Sequence, residues 1–264
     1  MEIDLVYVLQ PAVVIAMTAA LLLYMRKRGG MSLPVLAYSL AAYAIAILVK
    51  YIFQHYTAAA IISSGNPYLE GLYYGLQTSI LEVGLAYLFA RYAISRKRMT
   101  AGQGFGYGAG LAFWENGILL GVISLVNLIG IYAALQPGVL NATAYQATVD
   151  AISRSEPALF YPIAQALQSI GLGILERVSS ILIHVAWGYL VFAAAIYRKR
   201  RYLAMALPMG LVDFFVPFAG VLGVATFEVL VFAISIISLA VALAAARTIN
   251  EEIAARGRAW PRKP

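Results

Sequence analysis

An apolar stretch at 175–195, LERVSSILIHVAWGYLVFAAA, is interrupted by Glu176, Arg177 and His184. Ionisable side chains in a segment of that kind cost several kcal/mol in hydrocarbon unless they pair or face a wet cavity, so they mark a working site. Helical spacing puts Arg177 and His184, seven apart, on nearly one face with Ser180 between them, and Glu176 adjoins that face through Ser180 four residues on. Other apolar runs carry Lys50, Glu82, Glu115 with Asn116, Asp213 and Glu228. General acid/base hydrolysis needs a carboxylate to activate water, a neighbour to hold or shuttle its proton, and a donor for the developing oxyanion. Glu82, Glu115 and His184 supply the catalytic roles and Arg177 the donor, with Glu176, Arg177, Asp213, Glu228 and Lys50 as a supporting polar cluster. The same residues also suit a proton or ion path, and the spacing alone does not separate the two.

Metal chemistry has less support at this level. The chain has no cysteine and two histidines, His55 and His184, and the helical His-Glu-x-x-His pattern of zinc hydrolases is absent. No cofactor is expected, and zinc is disfavoured.

The elements that must position these residues are membrane helices. Hydrophobic residues make up 62% of the chain and charged ones 12%, about half the share in soluble domains. Apolar runs of about 20 residues, enough to cross roughly 30 Å of hydrocarbon, fall at 3–25, 33–55, 71–94, 102–134, 172–197, 202–222 and 225–246. The expected fold is therefore all-α: one integral membrane domain, 1–264, a bundle of about seven spans in the cell membrane. Glu2 and Asp4 stand where a secretory signal would carry positive charge.

All but four of the 19 basic residues lie in clusters at 26–28, 96–98 and 198–201 or in the tail 247–264. They share one side if the N-terminus is outside and the C-terminus inside, the positive-inside arrangement. The net charge of +7 thus reflects topology rather than nucleic-acid binding. Of the remaining four, Arg91 is near enough to an inner end to snorkel, whereas Lys50, like Glu228, lies towards an outer end and could be interfacial. The polar connection 136–157 falls outside, as an amphipathic surface helix or a lid; Asn141-Ala142-Thr143 in it fits the N-glycosylation pattern, a signal weak enough for chance to be the better reading. The glycine-rich run 102–110 lacks the Lys-Ser/Thr of a phosphate loop; Gly104, Gly106, Gly108 and Gly110 instead suit close helix packing. The short charged tail reads as a frayed helix end.

At the motif level the segment ERVSSILIHVAWGYLVFAAA resembles the signature of the YhfC-type membrane peptidases, described as glutamic-type intramembrane proteases distantly allied to the CAAX-prenyl-protease-like group. ILEVGLAYLFARY at 80–92, GFGYGAGLAFWENGILLG at 104–121, ALPMGLVDFF at 206–215 and TFEVLVF at 226–232 follow in the same order, over about 71–246. The resemblance implies a peptidase whose polar pattern matches Glu82, Glu115, Glu176, Arg177, His184, Asp213 and Glu228, acting on a membrane-embedded peptide or a lipidated substrate. This chain departs from the pattern where a second glutamate (Leu81), an arginine (Leu85) and two histidines (near Leu111, and Met209) are expected. Either the chemistry is re-formed around Glu115, His184 and Asp213, or the chain is an inactive relative that binds without cutting. A proton-coupled transporter is the third reading, disfavoured because no internal repeat is visible.

Overall fold

The computed structural model describes residues 5–258; Glu2, Asp4, Arg262 and Lys263 lie outside them. The described elements are all helical. A 3₁₀ turn, Leu5–Val8, leads into α1 (Leu9–Lys27), followed by α2 (Leu33–Ile62). Then come α3 (Pro67–Gln77), a π segment (Thr78–Val83) and α4 (Gly84–Ser95), continuous in one rod. A second rod joins α5 (Gly104–Ala112), a longer π segment (Phe113–Val122) and α6 (Ile123–Ala134). The surface helix α7 (Ala142–Ser155) and a 3₁₀ turn (Pro157–Phe160) precede α8 (Ile163–Tyr197). The last described elements are α9 (Arg200–Gly210), a 3₁₀ stretch (Leu211–Phe218), the short α10 (Ala219–Leu222) and α11 (Val224–Arg258).

Six of these runs are long and apolar enough to cross a membrane: Leu5–Lys27, Leu33–Ile62, Ala101–Ala134, Ile163–Tyr197, Arg200–Leu222 and Val224–Ala255. The molecule is a multi-pass membrane protein. The run expected at 71–94 is helical too, but Gln77, Thr78, Ser79 and Glu82 dilute its hydropathy. All four are buried, so the polar side of this rod faces the protein interior.

Two other expectations are revised. Helix α8 starts nine residues before the run read at 172–197, because Gln165, Gln168 and Ser169 continue the helix without being apolar. The tail is not frayed over its first part: α11 continues to Arg258, and Glu252 pairs with Lys199 and Arg201.

Local sequence explains the breaks. Asn66 caps α3 by accepting from the Tyr68 and Leu69 amides, with Pro67 in the first turn, where its missing N–H costs nothing. Asn141 caps α7 in the same way through the Ala144 amide, which gives that side chain a structural use. At the basic end of α1, Gly29 adopts φ +72° while the Gly30 amide reaches back to the Met25 carbonyl, a left-handed closure that glycine makes cheaply.

The hub is α8. Its most apolar stretch is 78% buried, against 28% or less for those of the other five, so it is surrounded while they face outward. Glycine makes the close approach possible. A Cβ on Gly108 of α5 would collide with the Val185 carbonyl of α8, and one on Gly188 with the Gly108 Cα, so the two backbones are in contact. Gly106 meets the Gly30 carbonyl and Gly110 the Ser39 hydroxyl in similar fashion. The run 102–110 is thus packing. Around it lies the main core, including Tyr107, Trp187, Leu190 and Phe192; a small second core, Tyr7, Leu128, Ala166 and Ile170, sits at the α7 end.

Candidate functional site

Both site glutamates project from π segments: Glu82 from Thr78–Val83 and Glu115 from Phe113–Val122. A π turn takes up more residues than an α turn and leaves the ladder poorer, a trade found frequently at functional sites. Asp213 comes from the 3₁₀ stretch Leu211–Phe218, which follows Pro208 inside α9 and runs against α3, where Gly71 and Gly75 leave room for the Phe214 backbone. The Ser79 hydroxyl donates to the Leu207 carbonyl and ties the two rods together. The three carboxylate-bearing stretches are therefore the ones where the backbone departs from a regular α-helix. His184 stands on an undisturbed one, α8, with Glu176 and Arg177, as does Lys50 on α2.

These elements enclose a cavity of about 310 Å³ lined by Lys50, Glu82, Glu115, Arg177, His184 and Asp213, among others. Lys50 Nζ lies 2.5 Å from Glu82 Oε1, donates to Thr78 Oγ1 at 2.9 Å, and is 3.9 Å from Asp213 Oδ2. The Thr78 hydroxyl in turn donates to Asp213. Lys50 is therefore not interfacial, because α2 runs on to Ile62 and the side chain turns inward. It also supplies the positive partner for Glu82 that Leu85 does not.

On the other side, Arg177 donates to Asn116 Oδ1 (3.3 Å) and pairs with Glu176. Asn116 Nδ2 donates to Ser180 Oγ (3.0 Å), and Ser180 Oγ donates to Glu115 Oε1 (3.1 Å). The stripe of Arg177, Ser180 and His184 on one face of α8 is thus a connected chain of polar contacts ending on Glu115.

The imidazole joins the two halves. His184 Nδ1 is 2.8 Å from the Ser180 carbonyl oxygen, which can only accept, so Nδ1 carries a hydrogen. Its Nε2 lies 2.7 Å from Glu115 Oε2 and 3.6 Å from Glu82 Oε2, yet this buried nitrogen has no partner in hydrogen-bond geometry. A neutral ring in that tautomer aims a lone pair at two carboxylates, an arrangement that needs a positive charge on or between them. Lys50 is the nearby cation and already serves Glu82 and Asp213, while Arg177 is held by Glu176.

The same geometry fits a metal. One ligand atom from each of Glu82, Glu115 and His184 falls within 4.8 Å of the others. A backbone carbonyl on the far ring nitrogen is the usual anchor of a metal-ligating histidine. The scarcity of histidine argued against such a site, but here carboxylates from two other rods complete the set. No local motif could announce it, since the three residues are far apart in sequence.

Of the residues singled out from sequence, Glu82, Glu115, His184, Lys50, Arg177 and Asp213 line one cavity and Glu176 lies at its rim. Glu228 does not join them. It is buried near Glu176 beside a separate cavity, and its Oε2 has no hydrogen-bond partner. Thr78 and Tyr43 line the site and were not singled out. Each had a signal: Thr78 is four residues before Glu82 and Tyr43 seven before Lys50, so each shares a helical face with a charge already noted.

A family model described as YhfC intramembrane metalloprotease matches residues 13–245. No curated protein and no solved structure matches the chain.

Proposed function

Because the chain belongs to the YhfC intramembrane metalloprotease family, we propose that it hydrolyses a peptide bond in a membrane-embedded or lipidated substrate. The observation that carries this is the convergence of Glu82, Glu115 and His184, buried or nearly so, on one cavity.

Glu115 is the general base. Ser180 holds its Oε1, so Oε2 faces the cavity and accepts the proton of the attacking water. His184, its Nδ1–H committed to the Ser180 carbonyl, takes that proton at Nε2 and returns it to the leaving amine. Lys50 balances Glu82 and Asp213 and keeps both carboxylates oriented. Arg177 has five N–H donors, and those not used on Glu176 and Asn116 are available to the oxyanion. In a metal-loaded form Glu82, Glu115 and His184 would instead hold a divalent ion that would supply a Lewis acid and acidify a coordinated water; the ion would then take the place of the proton at His184 Nε2, and the carboxylate oxygens not bound to it would carry the proton.

The topology belongs to the same reading. Seven spans, with residues 67–95 joining the six apolar ones, bring the clusters at 26–28, 96–98 and 198–201 to one face, leaving the N-terminus outside and the C-terminus inside.

Incubation of the reconstituted protein with a panel of membrane peptides, comparing the native chain with Glu115→Gln and His184→Ala, tests the proposal. Cleavage lost in both variants is the expected result. Equal product from all three would eliminate it, and no product from any would favour the inactive relative suggested by Leu81, Leu85 and Met209.

A further inference from the structure

Hydrolysis within a bilayer consumes a reactant that hydrocarbon excludes. Helix α8 carries polar or small residues at three- and four-residue steps: Gln165, Ser169, Gly173, Glu176 with Arg177, Ser180 and His184. Burial deepens along this line. Gln165 is exposed, Ser169 to Ser180 are half-buried, and His184 is buried. The line is about 29 Å long at 1.5 Å per residue.

Three cavities meet beside it. One of about 620 Å³ between α1, α6 and α8 is bounded by Gln10, Ser124, Asn127 and Glu156. Another of about 630 Å³ is bounded by Gln168, Ser169 and Glu228. Glu176 borders both of these and the catalytic cavity, and Arg177 borders the first and the catalytic one. Along the axis of α8, Arg177 is about 32 Å from the basic end at Arg198, roughly the thickness of the hydrocarbon core. The two large cavities therefore stand at the opposite headgroup level, beneath the Pro157–Phe160 turn, which is tied down by the Tyr7 hydroxyl donating to the Ala158 carbonyl.

We infer that these two cavities form an aqueous vestibule that feeds water to the catalytic cavity through a neck at the Glu176–Arg177 pair. The pair suits a neck because its polar atoms hydrate a passage that leucines would dry, while the Arg177 bond to Asn116 keeps the guanidinium at the wall. The proposal rests on the peptidase reading only for the use made of the water, and the route is testable without turnover.

The chain contains no cysteine, so single cysteines can be introduced without background. A charged, membrane-impermeant thiol reagent applied to proteoliposomes from the α7 side is expected to modify Ser124→Cys and Asn127→Cys. It should spare Val126→Cys and Ile129→Cys, exposed apolar positions on the other face of α6. Ser180→Cys should react more slowly, and adding Asn127→Trp should slow it several-fold further. If Ser180→Cys does not fold, Leu119→Cys reports on the same cavity. Equal reaction of Val126→Cys and Ser124→Cys would mean that this end of α6 merely stands in water, and a rate inside the cavity indifferent to Asn127→Trp would mean another route. Either result overturns the proposal, whether or not the protein cleaves peptides.

Discussion

The two halves of α8 are built on opposite rules. From 183 to 195 every residue is buried and the helix touches α5 backbone to backbone at Gly108 and Gly188. Between 163 and 182 only Ala166, Ile170, Ser179 and Ile181 are buried, and cavities replace packing. His184 stands where the regimes meet. The tight half fixes the position of the imidazole, and the open half gives it polar company and an adjoining cavity. A helix loose throughout could not aim a ring nitrogen, and one packed throughout would leave no cavity beside it.

Substitutions on either side of His184 sharpen the contrast. Gly188→Val should have the largest effect. Its side chain would meet the Gly108 backbone, which cannot rotate away, so a loss of at least about 3 kcal/mol is expected, read as loss of a monodisperse species in detergent. Glu115→Gln should leave thermal unfolding nearly unchanged and lower turnover by about 10²–10⁴-fold, the usual worth of a positioned base. A large fall in stability instead would make Glu115 a structural contact. Lys50→Met strands Glu82 and Asp213 in a site of low dielectric and should cost about 3 kcal/mol by denaturation. Pairing it with Glu82→Gln should recover part of that loss; no recovery would disprove the coupling. The smallest change is expected of Gly171→Ala in the open half of α8. Nothing lies within 4 Å of the added carbon, so helix propensity should act alone and raise stability by about 0.5 kcal/mol. A comparable loss at Gly171 and Gly188 would erase the distinction between the halves.

Much of this was legible in the sequence. Hydropathy marks the membrane helices because twenty apolar residues have few other uses, and costly intramembrane charges single out Glu82, Glu115 and His184. The spacing of Arg177, Ser180 and His184 predicts a shared face, and the face exists because helical period is local. Pairings across helices were not legible. Lys50 and Glu82 are 32 residues apart, and only the crossing of α2 with the next rod brings them together. The polar first turns of α8 were not legible, because apolarity marks where a helix meets lipid, not where it begins. Glu228 shows the converse: a buried charge singled out from sequence that the fold leaves outside the cavity around His184.

The π segments have a consequence for how such a chain can change in length. Each sits inside a rod anchored on both sides, the second between the glycine contacts of α5 and the cap of α6 at Leu135. Removing one residue from 113–122 need not shorten the span or slide its neighbours, since a wide turn can relax to the ordinary one and absorb the loss. Glu115 would then swing round the rod and leave His184 Nε2 with Glu82 alone. One residue of length is therefore enough to keep the architecture while taking Glu115 away from His184.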